Sequence, residues 1–451
     1  MSCQQLGHYE KSRQPIAIKY QVNLLCTLGI GGYLETFHNP DRFMSDLRQV
    51  LSQGRKRIGL LIGAGAPMAL MVNEAGELDT ERGHSLMPGV EALTNQAIDA
   101  LTGPHKVAAE AIRTELGANA NIETILTRIR LLQQALGPAE VYGLNSDGYK
   151  ALGAEICKKI GEIVGANLPK GQNPYTELVS WVSGTLRTHA VEIFTTNYDL
   201  LFEEAFERSR ASYFDGFTGG HAPFFDPVSV ASDDLPPRWS RLWKLHGSLG
   251  WALENSSVVR GRGRDAAQLV YPDHLKYELT QKQPYSALFE RLRQFLLTPD
   301  SLLLTSGFSF RDAHICAVLD EALAMNANAA VLAFQYMPLA AEEPACKLAY
   351  DRPNLSVYAA DGAVIGGVKG TWRLGEPPKN WGEIRATFWG ARSPKQKQAF
   401  LLGDFAFFTR FCALAQATDV STQNTHDPIV TPRQSEEPVL ASAETTGERK
   451  A

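Results

Sequence analysis

Two rhythms alternate along this chain. Arg57–Ile62, Val191–Thr195, Arg241–Leu245, Ser301–Ser306, Ala329–Phe334 and Leu355–Ala359 are short, nearly continuous apolar runs. Runs of that kind suit strands covered on both faces of a parallel sheet. Between them the apolar positions fall at helical spacing. Phe43, Leu47, Val50 and Leu51 form one such stripe. Asn121 stands as a cap before a second, with Ile122, Ile125, Leu126, Ile129 and Leu132 on one face. Ile156, Ile160 and Ile163 mark a third, and Leu178, Trp181 and Val182 a fourth that starts near Pro174. Leu200–Phe206 and Tyr285–Leu297 are further helical segments. Alternating strands and helices predict an α/β fold, with a doubly wound parallel (Rossmann-like) sheet.

The same pattern divides the chain. Residues 1–54 form an N-terminal segment in which the apolar stretch Ile16 to Leu34 is interrupted by Gly29, Gly31 and Gly32. Residues 55–372 carry the sheet, with a helical insertion over about 84–185 between its first two strands. A helical C-terminal extension follows over 373–416, where Phe400, Leu401, Phe405, Phe408 and Phe411 suggest one aromatic-rich helix. Residues 417–451 are rich in Thr, Ser, Glu, Pro and Ala and contain no aromatic residue. Such a segment lacks the apolar area to offset its ordering entropy, so it is expected to be disordered.

Composition narrows the class. The 451 residues are 44% hydrophobic and 21% charged with a net charge of -5, ordinary for a soluble protein and unlike a broadly basic nucleic-acid binder. The six cysteines are scattered, with no Cys-x-x-Cys pair, so no metal site is expected. No run of about 18 apolar residues suggests a membrane span, and charged and polar residues interrupt any signal pattern at the start. A reducing, cytoplasmic setting is the natural expectation.

Four short motifs sit at the carboxyl ends of apolar runs, the edge where open parallel sheets bind ligands. Gly63-Ala64-Gly65-Ala66 would let a pyrophosphate approach the backbone over a helix start, with Pro67 in the first turn. It fits a plain tight turn equally well, and Met68 breaks the dehydrogenase glycine pattern. In Thr195-Thr196-Asn197-Tyr198-Asp199, Asn197 could hold a ribose hydroxyl or a water; Asn197 and Asp199 could also simply build an Asx turn and cap the next helix. His246 follows Lys244-Leu245 and precedes Gly247-Ser248, and its ordinary pKa suits proton transfer, although a lone histidine is often structural. Gly307-Phe308-Ser309 could receive a phosphate or ribose, or be an ordinary strand-to-helix turn.

In combination, this order of motifs over roughly residues 55–370 resembles the SIR2 (sirtuin-like) family. The wording Phe194-Thr195-Thr196-Asn197-Tyr198-Asp199 and Gly307-Phe308-Ser309-Phe310-Arg311-Asp312 looks most like its bacterial anti-phage branch, whose members work with a HerA-type DNA translocase, an Argonaute-like protein or a fused sensing domain. Tyr271-Pro272 and Lys276-Tyr277 add to that likeness. The resemblance implies NAD as substrate, Asn197 and His246 as catalytic residues, and Gly63, Ala64, Gly65, Ala66, Thr196, Asp199, Gly307, Phe308 and Ser309 as NAD-binding residues.

Departures from the deacylase pattern shift the implied reaction. SIR2 deacylases carry a zinc module with two Cys-x-x-Cys pairs, whereas residues 249–306 contain no cysteine. Thr196 stands where deacylases have Gln, and Pro67 where they have Ser. Water then becomes the default acceptor, so the implied function is an NAD hydrolase that releases nicotinamide and ADP-ribose. A protein deacylase and a non-catalytic NAD or ADP-ribose scaffold are the alternatives. The helical block and the Phe400–Phe411 region hold more apolar surface than one sheet needs, so a homo-oligomer is expected, with no membrane and no direct nucleic-acid contact.

Overall fold

The structure, a computed structural model, describes residues 27–28, 34–184, 187–254, 257–261, 283–377, 381–393 and 396–415. The segment 417–451 and the Tyr271-Pro272 and Lys276-Tyr277 pairs lie outside the described residues. Ten strands make the central sheet: β1 (Phe37–His38), β2 (Arg57–Ile62), β3 (Glu192–Thr195), β4 (Tyr213–Phe214), β5 (Ser240–Lys244), β6 (Ser301–Ser306), β7 (Ala330–Phe334), β8 (Leu355–Tyr358), β9 (Gly362–Ile365) and β10 (Val368–Trp372). Their order across the sheet is β1-β10-β9-β8-β7-β6-β2-β3-β5-β4.

All neighbours from β8 to β4 pair in parallel, with Leu304 opposite Leu60 and Ile193 opposite Leu60 on its two sides. From β2 the chain builds outward through β3 to β5, then returns to β6 on the other side and builds outward again. That reversal puts a topological switch point between β2 and β6, where a crevice opens beyond the carboxyl ends. The apolar runs predicted as strands are these strands, and β2 and β6 match residue for residue. Buried Leu60, Leu61, Ile193, Leu303 and Leu304 are continuous because helices cover both sheet faces.

The sheet is not parallel throughout. β9 and β10 form an antiparallel hairpin on β8, and β1 joins β10 at the edge. The sequence reading ended the sheet at β8 because Gly362, Gly366 and Gly367 dilute the apolar signal. β1 and the helix Pro40–Ser52, with buried Met44, Leu47 and Leu51, attach residues 34–54 to the same core.

Between β2 and β3 the helices Val90–Asp99, Gly103–Leu116, Ile122–Leu136, Ser146–Val164 and Pro174–Gly184 form the insertion. Asn121 caps the third of them by accepting from Glu123 N and Thr124 N, and Thr124 Oγ1 in turn accepts from Asn121 N at 2.9 Å. Replacing Asn121 by alanine should therefore cost about 0.5–2 kcal/mol in urea denaturation. A loss below a few tenths would show that packing alone sets this helix start.

The aromatic C-terminal segment departs from expectation in one respect. The helix is Phe405–Leu414, while Phe400 lies in a short strand, Ala399–Phe400, paired with Trp389–Gly390. Asp404 caps the helix and stops it from extending back to Phe400. Phe400, Phe405, Phe408 and Phe411 are all buried, and Phe408 meets Phe334 of β7 with ring centres 5.6 Å apart. The aromatic face of this segment is thus covered within the chain. Among the described residues no helix is long and apolar enough to cross a membrane.

Candidate functional site at the switch point

The turns after β2 and β6 touch backbone to backbone. Gly63 N donates to Ser306 O at 3.1 Å and Gly65 N donates to Gly307 O at 3.0 Å. A Cβ on Gly63 would lie 2.4 Å from Gly307 O. Gly307 has φ +66°, and its own Cβ would lie 2.7 Å from Ala66 N, so a side chain is excluded there twice over. These glycines first of all let the two turns interlock. The expected phosphate seat is also smaller than the sequence suggested. The helix after Gly63-Ala64 spans only Gly65–Met68, too short for an appreciable dipole. Ala66 N is already bonded to Gly63 O, which leaves Ala64 as the turn's remaining amide donor. Ala64 is exposed and Gly65 and Gly307 are half-buried, at the mouth of the crevice.

Asn197 ties the loop after β3 to this turn. Its Nδ2 donates to Gly63 O at 3.1 Å, and its own amide donates to Thr195 Oγ1 at 3.1 Å. The buried Tyr175 hydroxyl adjoins the same carboxamide. Thr196 is half-buried and donates its amide to Ile62 O at 3.2 Å, which continues the β2–β3 ladder by one residue.

His246 follows β5. Gly247, at φ +90°, turns the chain sharply and donates to Lys244 O at 3.1 Å. The ring Nε2 lies 3.0 Å from Asp312 Oδ2, and both side chains are less than a tenth exposed. Asp312 is itself held firmly. Its Oδ1 accepts from His314 N at 2.9 Å and Ile315 N at 3.1 Å, capping the helix Ala313–Met325. In the sequence Asp312 ends the Gly307–Asp312 motif, with nothing local to tie it to His246. The available signal was an aspartate at a helix start just past a strand-end glycine motif.

Below the crevice lies a buried charged group. Lys244, 3% exposed, donates to the Asp199 carbonyl oxygen and sits 3.1 Å from Glu203 Oε1. The Asp199 carboxylate accepts from Leu201 N at 3.1 Å, so it braces the start of the helix Leu201–Arg208. Burial raises the Asp199 carboxyl from 3.8 to about 6, against the opposing pull of Lys244. Burial also pushes the Tyr175 hydroxyl well above its usual range, with Asp199 and Glu203 adding to the effect.

A raised carboxyl pKa has a definite consequence for stability. The folded state holds the Asp199 proton between pH about 4 and 6, where the unfolded chain has lost it. The neutral carboxyl is therefore fully accommodated below about pH 4, and stability declines as pH rises through 6. Asp199→Asn keeps the acceptor for Leu201 N and cannot ionise. Relative to wild type it should gain up to about 3 kcal/mol between pH 4 and 8 in urea titrations. A difference that stays flat across that window would refute the buried, proton-binding Asp199.

Ser248 Oγ and Ser306 Oγ are buried without a hydrogen-bond partner among the described residues, beside His246 and the Gly63 turn. Orphaned hydroxyls at a ligand-binding edge are the groups that a sugar, a phosphate or a water would satisfy. Phe308 is buried against Phe310, with ring centres 4.9 Å apart, while Ser309 is exposed. The structure thus brings the Gly63, Asn197, His246 and Gly307 loops together, places Asp199 beneath them and leaves Ser309 at the surface. Among the described residues no group of three or more His, Cys, Asp or Glu is placed to hold a metal.

Comparison with known proteins bears on the later part of the chain. No curated protein matches it. One solved structure, described as "Structural Basis for the Mechanism and Regulation of Sir2 Enzymes", is 13% identical, with 67% of this chain and 88% of that one covered and a TM-score of 0.30. Another, a Sir2 homologue with a histidine-to-asparagine mutation in complex with ADP-ribose, is 11% identical, with 64% and 84% covered and a TM-score of 0.29. A family model described as a SIR2-like domain matches residues 191–357, a span that contains Asn197, His246, Gly307, Phe308, Ser309 and Asp312 and begins after the Gly63–Ala66 turn.

Proposed function

We propose that this protein is an NAD hydrolase, cleaving the nicotinamide–ribose bond to release nicotinamide, ADP-ribose and a proton. The observation that carries this reading is the buried pair in which His246 Nε2 lies 3.0 Å from Asp312 Oδ2. A carboxylate beside the ring would favour its protonated form. His246 would then take a proton from water or a ribose hydroxyl. Asn197, pinned through Nδ2 to Gly63 O, would orient that water or the ribose with Oδ1. Cleavage passes through an oxocarbenium-like state. The nearby Asp312 and Asp199 carboxylates would favour the charge that develops on the ribose, and the low exposure of the pair limits competing solvent. Gly63–Ala66, Thr196 and Gly307–Ser309 would seat the rest of NAD, with Ala64 N and the Ser248 and Ser306 hydroxyls as the available donors.

A deacylase is disfavoured by the absence of cysteine from residues 249–306. The motif wording extends the proposal to an anti-phage role by NAD depletion in the cytoplasm, gated by assembly or by a HerA-type translocase. Purified protein, alone and with its co-expressed partner, is incubated with NAD and the products are separated by chromatography. Nicotinamide and ADP-ribose in equal amounts support hydrolysis. NAD left intact in both preparations, or nicotinamide released only with an acylated peptide present, would sink it.

A further inference from the structure

A second cavity, of about 970 Å³, opens among the insertion helices Val90–Asp99, Gly103–Leu116 and Ile122–Leu136. Its volume is in the range that holds small-molecule ligands. In a chain with a net charge of -5, three arginines, Arg113, Arg128 and Arg311, line it against one acidic residue, Glu91. Arg113 is oriented by its Nη2 bond to Asn95 Oδ1 at 2.8 Å. Arg128 pairs with Glu115 at 2.9 Å, yet its Nε is buried without a hydrogen-bond partner among the described residues. Arg311 is exposed, with Glu342 as its nearby carboxylate. The amino end of the helix Ile122–Leu136 borders the same cavity at Asn121 and Thr124, with its first amides already bonded to Asn121 Oδ1 and Thr94 Oγ1.

We propose that this cavity is a polyphosphate-binding site, accepting a nucleoside triphosphate or a related phosphate chain across Arg113, Arg128 and Arg311. Guanidinium forks suit phosphate oxygens because each offers paired N–H donors in one plane. A single anion spanning the cavity would satisfy charges that come from two different helices and a loop. The site would also report to the catalytic centre, because Arg311 is followed directly by Asp312, the partner of His246. A ligand that draws on Arg311 acts on the loop that orients the histidine.

The test is calorimetric titration of the full chain with two probes, ATP and inorganic triphosphate. Binding of both probes, or of ATP alone, supports the site, and the comparison shows whether the phosphate chain suffices or a nucleoside is needed. Arg113→Glu should weaken binding by about tenfold or more, since a charged hydrogen bond is replaced by repulsion. Arg113→Ala repeats the test should the charge reversal lower the melting temperature. Added salt should weaken binding in parallel. No binding by wild type at millimolar probe, or equal affinity in a folded Arg113 variant, would overturn the proposal. One-for-one displacement of the probe by NAD would also overturn it, by making the cavity part of the substrate site. The readout is binding alone, so it stands or falls separately from NAD cleavage.

Discussion

His246→Ala is expected to lower NAD cleavage by about 10²–10⁴-fold while leaving the melting temperature nearly unchanged, the usual range for a lost general base. His246 places its ring 3.0 Å from Asp312, and neither β5 nor the helix Ala313–Met325 includes it. Asn197→Ala should fall in the same range through lost positioning. It should also loosen the Gly63 turn, because the bond to Gly63 O disappears. Asp312→Asn is the sharper probe. Oδ1 can still cap the helix at His314 N and Ile315 N, but the negative charge beside His246 Nε2 disappears. The ring would then hold an added proton less readily. Cleavage should drop although the fold is kept, and the pH–rate profile should change with it. A folded His246→Ala protein within a few-fold of wild type would refute the assignment.

Lys244→Met is expected to destabilise the protein by about 3–5 kcal/mol, the cost of removing one partner from a buried charged group. Glu203 would lose its partner at 3.1 Å, and the Asp199 carbonyl would lose its donor. The Asp199 carboxyl would also ionise less easily without the lysine's charge. The penalty should therefore shrink as pH falls through 6, where Asp199 takes up its proton. Urea denaturation at pH 5 and pH 8 measures both effects. A loss under 1 kcal/mol at pH 8 would mean that water already reaches this group and that it is not a dry ion pair.

What could be read from the chain was what local pattern dictates. Continuous apolar runs marked the parallel strands because burial on both faces leaves no polar positions to alternate. Asn121 and Pro174 announced their helices because capping and the first-turn preference for proline are local effects. The β9–β10 hairpin carries little strand signal because Gly362, Gly366, Gly367 and Gly370 interrupt its short apolar run. Phe400 was drawn into the wrong helix because aromatic spacing alone does not register the Asp404 cap. The catalytic candidates stood out by residue type, but their relationships did not. Asp312 lies 66 positions beyond His246, and only the switch between β2 and β6 brings the two to 3.0 Å. Gly63 and Gly307 looked like phosphate turns, and the fold presses them into each other first.

The sequence by itself determined the α/β class, the strand and helix positions, and a set of polar residues at strand ends, because these follow from periodicity, capping and side-chain chemistry over short distances. The tertiary structure alone decided which of those residues meet. Proximity across the switch point, the burial that raises Asp199, the placement of Lys244 beneath the crevice and the gathering of three arginines around one cavity all depend on contacts between segments far apart in the chain.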